Sequence, residues 1–169
     1  MTARDAELAA IEADLALWYD RVPFAAQVAR LAAYRGVDRL GALTLASEVC
    51  DWRRFPRATA FMGFTGLVPS EYSSGESTRR GQVTKAGNAH LRTQLIESAW
   101  AYRSPASIGA GLRARHEGVP AQTLARSWTA QQRLCGRFRR MAERKNVKTV
   151  VATAVARQLA GFLWAEMTA

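Results

Sequence analysis

Between Val147 and Met167 apolar residues recur at near-helical spacing. Val147, Val151, Ala154, Leu159 and Phe162 form a stripe that Val150, Val155 and Leu163 widen. A helix with so wide an apolar face must sit at the centre of a core, covered by apolar faces from several neighbours. The rest of the chain offers such faces. Leu8, Ile11, Leu15 and Trp18 recur at three and four residues within a helix expected over 3–19, which Thr2 and Asp5 open as a capping-box variant. A second helix is expected from about Phe24 to Tyr34, with Val28 and Leu31 inward and Gly36 just past its end, where glycine is favoured. A third runs from Arg39 to Cys50 through Leu40, Leu43 and Val49, and a short one carries Phe61, Met62 and Phe64. Asn88 to Tyr102 follows, with Leu91, Leu95 and Ala99 inward, Trp100 beside them, and Ser104-Pro105 as the stop. After a weaker helix over Ser107–Glu117, Pro120 suits the first turn of a long helix reaching Lys145, with Leu124, Trp128, Cys135 and Phe138 on its buried side. No segment alternates apolar and polar residues around hairpin turn chemistry.

The expected fold is therefore all-α: a compact multi-helix domain over 23–169, preceded by an amphipathic segment over 1–22. That segment has two open placements, half of a coiled coil continuing a linker helix, or a helix packed on the domain's own core. A chain of 169 residues with 49% apolar content can bury a sizeable core. Cys50 and Cys135 have no metal-ligand spacing and read as reduced, buried small residues of a cytosolic protein. His90 and His116 share no ligand spacing with each other or with the cysteines, so no metal site is expected in this chain. The opening MTARDAELAA is polar and has no signal-peptide core, and no apolar run reaches the length of a membrane span. Trp52, Trp100 and Trp128 read as core residues; a stacking role would need exposure.

Charge divides the chain. Residues 79–148 hold 15 Lys and Arg against 3 acidic residues, and the remainder holds 9 against 11, for a net charge of +10. One strongly basic segment points to a nucleic-acid face, against the plainer reading of a solvated basic surface. Arg133, Arg137 and Arg140, with Arg139, Arg144 and Lys145, crowd the second half of the long helix, where an anion would relieve their mutual repulsion.

The same segment opens on an unusual stretch. Residues 61–103 start apolar, break at Gly66 and Pro69, pass through Ser73-Ser74-Gly75, turn basic at Arg79, Arg80 and Lys85, and enter a helix that Asn88 caps and that carries His90 and Arg92. Gly75 and Gly81 suit backbone angles that other residues resist. A long serine loop, several cations and a helix N-terminus together suit a phosphate. A serine hydroxyl also needs a base or stabilising charge before it becomes a nucleophile. Arg79, Arg80, Lys85 and Arg92 offer charge; His90 is the nearest base, with Glu71 and Glu76 weaker. The segment Arg35-Gly36-Val37-Asp38-Arg39-Leu40 is helix-hairpin-helix-like, with Arg35 and Arg39 placed to touch a nucleic-acid backbone. Asp38 stands where that motif wants a second glycine. It suits an N-cap instead, and a tight helical turn in the core remains the alternative.

The runs GLVPSEYSSGE, TKAGNAHLR and ESAWAYR are similar to the C-terminal serine domain of the insertion-sequence transposases of family one-ten, the RNA-guided recombinases that join a RuvC-like DEDD nuclease domain to a serine domain. The resemblance runs from about Leu31 to the C-terminus. It implies DNA strand exchange through a covalent phosphoserine. The family's serine immediately precedes a glycine, which maps it to Ser74, with Ser73 as the fallback. Implied partners are duplex DNA, a structured guide RNA, the RuvC-like nuclease domain and further copies of the chain in a dimer or tetramer. No cofactor is implied in this chain; Mg2+ would be held by the nuclease domain. The setting implied is the bacterial cytoplasm and its nucleoid. The nuclease domain has no counterpart in these residues, so the chain is expected to be a piece, a remnant or a separately encoded half, inactive alone. A non-catalytic DNA- or RNA-binding and assembly module is the alternative.

Overall fold

The computed structural model of the chain describes residues 3–74, 77–145 and 147–169, and for 71–74, 77–80 and Gln82 the backbone alone. Its order is α1 (Ala3–Tyr19), α2 (Ala25–Ala32), α3 (Arg39–Val49), α4 (Ala58–Phe64), β1 (Pro69–Ser74), β2 (Ser77–Val83), α5 (Ala89–Trp100), α6 (Ala110–Arg115), α7 (Ala121–Arg144) and α8 (Lys148–Thr168). Single 3-10 turns lie at Trp52–Arg54 and Ala101–Arg103. The all-α expectation holds, and α8 is the central helix. It touches α2, α4, α5 and α7. Val151, Ala152, Val155, Ala156, Leu159, Ala160 and Leu163 are fully buried along it. Three alanines on this face let neighbouring helices approach closely, and each buried Leu or Val contributes roughly 1.5–3 kcal/mol of apolar transfer.

The stripe on α8 begins later than its sequence spacing suggests. Val147, the residue before α8, is 57% exposed, and Val150 is 47% exposed and lines a surface groove. The buried face of α7 is likewise turned from the expected one. Thr123, Ser127, Ala130, Gln131, Leu134 and Phe138 face inward, Leu124 and Cys135 are half-buried, and Trp128 is 37% exposed. Part of that face meets polar partners, with Gln131 Nε2 donating to the Ser107 carbonyl and Thr123 to Glu166, so apolar residues alone could not mark it. Leu40 is exposed, and Cys50 is exposed at the end of α3 in a left-handed conformation, not buried.

The joint between α2 and α3 is a packed turn. Gly36 has φ +83°, and a Cβ there would land on the Ser98 carbonyl oxygen of α5. Asp38 caps α3 by accepting from Gly41 N at 2.7 Å. Of α1, Leu15 and Tyr19 rest on the core while Leu8, Ile11 and Trp18 stay exposed. Thr2 of the expected capping box lies outside the described residues.

The serine segment departs most from expectation. Read as a loop, it is an antiparallel β-hairpin: Tyr72 stands opposite Arg79, Ser73 opposite Thr78 and Ser74 opposite Ser77, with a bulge between Pro69 and Glu71. A two-stranded ribbon is marginal by itself, and here the core holds its root. Thr84 N donates to the Val68 carbonyl, Lys85 N to Gly66 and Asn88 N to Phe64. Gly66 and Gly87, both at positive φ, cross backbone to backbone: a Cβ on Gly87 would strike the Phe64 carbonyl. Gly81 is not at positive φ. Its reason is contact, since a Cβ there would meet the Ser70 hydroxyl.

Candidate nucleic-acid interface

The hairpin is an arm with a defined reach. Five steps of strand separate Pro69 from Ser74, about 17 Å at the usual rise. Ser73 and Ser74 therefore stand at the far end as the last two residues of β1, and Arg79 and Arg80 lie just behind them on the returning strand. Their side chains, with those of Glu71 and Glu76, lie outside what is described, as does Gly75.

At the root, three distant segments converge. A groove of about 460 Å³ is lined by Pro69, Gly81 and Lys85 of the hairpin region, Arg137 of α7, and Val150 and Arg157 of α8. Lys85 is held in a left-handed conformation at φ +55° by the hydrogen bonds that close the root. Along α7, Arg133, Arg137, Arg140 and Arg144 follow at spacings of four, three and four, which places them in one row on the helix surface. All four are exposed, and none is in an ion pair with a described residue. The groove and this row make a continuous track of uncompensated cations below the serine arm. Sequence reading found Lys85, Arg133, Arg137 and Arg140 but missed Arg157. Its only signal was a single arginine in the middle of a largely apolar helix.

Other predicted contacts have structural partners. Arg92 Nη1 donates to the carbonyls of Thr65 (3.3 Å) and Lys85 (3.0 Å), tying α5 to both ends of the hairpin root. Asn88 caps α5 through Leu91 N at 3.0 Å. Arg35 donates to the Pro105 carbonyl at 2.7 Å, and Arg39 lies over the Tyr19 ring at 6.0 Å.

His90 has a partner that no spacing announced. Its Nδ1 lies 2.9 Å from Glu48 Oε1, and Asn88 Nδ2 donates to Glu48 Oε2 at 2.6 Å. The hydrogen bonds from Asn88 and then His90 hold the Glu48 carboxyl below its ordinary pKa, so Glu48 accepts and Nδ1 carries the proton. Nε2 is left to act on something else, on a ring whose side chain is 81% exposed. This dyad sits at the hairpin root, the opposite end of the arm from Ser74. Among the described residues no three His, Cys, Asp or Glu side chains stand together to hold a metal ion. None of the described helices is long and apolar enough to cross a membrane.

Residues 28–109 match the family model described as "Transposase IS116/IS110/IS902 family". Over this stretch the chain is similar to insertion-sequence transposases. It is 46% identical over 155 residues to a Sinorhizobium fredii protein named as transposase y4qE, covering 92% of this chain and 40% of that protein. Another S. fredii protein, named as transposase y4pF/y4sB, is 32% identical over 139 residues, 82% of this chain and 30% of that one. The transposase for insertion sequence element IS1111A of Coxiella burnetii is 39% identical over 70 residues, 41% of this chain and 19% of that one. The chain thus spans well under half the length of these relatives. The 28–109 match runs from within α2 past α5 and includes the hairpin segment and its root.

Proposed function

We propose that this chain is the DNA-binding serine module of an insertion-sequence recombinase, and that Ser74, or failing it Ser73, carries the transferred strand. The observation that carries the reading is the hairpin arm, which sets two serines at its far end while its root opens onto the Lys85–Arg137–Arg157 groove and the α7 cation row. Duplex DNA lies along the track through its phosphates. The serine oxygen attacks the scissile phosphorus, its proton passes to a base, and the bond from phosphorus to the leaving deoxyribose oxygen breaks as that oxygen takes up a proton. Strand exchange reverses the step: a free hydroxyl of another strand attacks the phosphoserine and the serine regains its proton. One phosphodiester is consumed and one is formed, with no nucleotide cofactor.

Arg79 and Arg80, close behind the serines in register, supply charge for the developing phosphorane. His90 stands at the root, away from Ser74, so in this reading the base is supplied by the nuclease domain in the assembled complex. Among the described residues no three ligand side chains stand together for a metal ion; in this reading Mg2+ is held by a nuclease domain that meets the serine in the assembled complex, with two or four copies bringing two duplexes together. A structured guide RNA would share the basic surface.

The test is covalent capture of labelled DNA by the chain supplied with a nuclease domain from a full-length relative. Ser74→Ala is expected to abolish the adduct and leave non-covalent binding within about twofold. An adduct of undiminished yield from Ser74→Ala and from Ser73→Ala would refute serine chemistry. A binding and assembly module without chemistry is the second reading, favoured by the exposed Leu8, Ile11 and Trp18 of α1, which suit a partner helix. No adduct with any nuclease domain, together with undiminished DNA binding, would select it.

A further inference from the structure

The far side of α7 carries a second, larger cleft that duplex binding does not use. Arg139 is two residues from Arg137, which turns it by about 200° around the helix and away from the hairpin groove. It lines a cleft of about 890 Å³ between α7, the turn after α5 and the start of α8, together with Trp100, Arg103, Gln132, Glu143 and Lys148. The three cations are exposed, and none is in an ion pair with a described residue. Trp100 is half-buried, with its ring braced by Phe138 at 6.1 Å between centroids. Arg103 is the last residue of the 3-10 turn that follows Trp100 at the end of α5, so the aromatic ring and the first cation are set by the same short connection.

This is a concave site with one braced indole, three unpaired cations, and an amide and a carboxylate at its edge. A duplex cannot present a base face to an indole inside a cleft; an unstacked nucleotide can. Its phosphates suit Arg103, Arg139 and Lys148, its base suits the Trp100 ring, and Gln132 and Glu143 can accept from or donate to base edges as their chemistry allows. The volume lies in the range that encloses a ligand of nucleotide size. We infer that this cleft binds an unstacked nucleotide of a single-stranded nucleic-acid segment, on the face of α7 opposite the duplex track. The inference needs neither the serine chemistry nor a duplex on the other face.

The experiment measures binding of the chain to labelled oligouridine, oligothymidine and a short duplex by fluorescence anisotropy. Arg139→Ala with Lys148→Ala is expected to weaken single-strand binding about tenfold and duplex binding less than about twofold. Arg133→Ala with Arg137→Ala is expected to do the reverse. Trp100→Ala should weaken single-strand binding roughly five- to a hundredfold, and Trp100→Phe, which keeps an aromatic against Phe138, should recover most of it. Whichever of the two oligomers binds more tightly names the strand as RNA or DNA. Loss of single-strand binding with no duplex binding by any form would support the cleft while sinking the duplex reading above. Equal losses on single strand and duplex from the cleft variants, or no single-strand binding by the unaltered chain, would overturn the cleft.

Discussion

Glu166 offers the sharpest test of how the core is held. It lies in the last turns of α8 with a side chain that is 0% exposed. Its Oε1 accepts from Thr123 Oγ1 at 2.7 Å and Arg30 Nε at 2.8 Å, and its Oε2 from Arg126 Nη1 at 3.3 Å and Tyr34 OH at 3.4 Å. Arg30 also donates to the Glu166 carbonyl, so α2, α7 and α8 are joined at one point. Glu166→Ala leaves two guanidiniums and two hydroxyls without their acceptor. Breaking a buried pair in this way costs about 3–5 kcal/mol. Because Arg30 and Arg126 keep 27% and 35% side-chain exposure, water offsets part of that loss, and about 3 kcal/mol is expected. For a domain of this size that is a fall in Tm of roughly 6–12 °C. Glu166→Gln keeps the shape and one acceptor, and should cost about half as much.

The pH dependence has a definite sign. Burial pushes the Glu166 carboxyl upward, but the hydrogen bonds from Thr123, Arg30 and Arg126 outweigh it and hold the pKa below its ordinary value. A lowered folded-state pKa means stability that is present above the ordinary carboxyl range and lost as pH falls through the folded value. The gap between wild type and Glu166→Gln should therefore be full at neutral pH and close in acid. Urea denaturation of both proteins across that range measures it. A gap that stays constant, or an alanine cost under about 1 kcal/mol, would refute the reasoning.

Other substitutions test the local accounts. Gly36→Ala forces a side chain into a left-handed conformation and onto the Ser98 carbonyl; it should cost more than about 2 kcal/mol by urea titration, at the upper end for backbone strain. Asn88→Ala removes the α5 cap and one Glu48 partner, with a loss of about 1–2 kcal/mol in the same assay. Arg92→Ala unties the hairpin root from α5, so amide exchange of Thr84 and Lys85 should quicken while that of Leu159 in the core does not change.

The helices were legible because each has a wide apolar face, and α8 most of all. What escaped had physical reasons. The hairpin strands PSEYSS and STRRGQV carry no apolar alternation, and their pairing is set by a root that only the folded α4 and α5 supply. Trp128 and Val150 are apolar residues at helical spacing, yet the inner face of α7 takes Gln131 and Thr123 because polar partners wait there. Glu166 reads as an ordinary glutamate near a C-terminus until Arg30 and Arg126 arrive from 136 and 40 residues away. The candidate site shows the same division. Ser73, Ser74, Lys85 and the α7 arginines were visible as types in a basic segment. Arg157 and Glu48 were not, since one joins its groove and the other its histidine only through tertiary contact.

The duplex track is the central claim, and a salt series tests it most directly. Lys85, Arg133, Arg137, Arg140, Arg144 and Arg157 stand along it, so a plot of log affinity for duplex DNA against log salt should have a slope near −5.4, about −0.9 for each phosphate neutralised. Replacing Arg133, Arg137 and Arg140 together with alanine should reduce the magnitude of that slope by about 2.7 and leave folding unchanged. A slope unaltered by the triple substitution, or no duplex binding at low salt, would contradict the account.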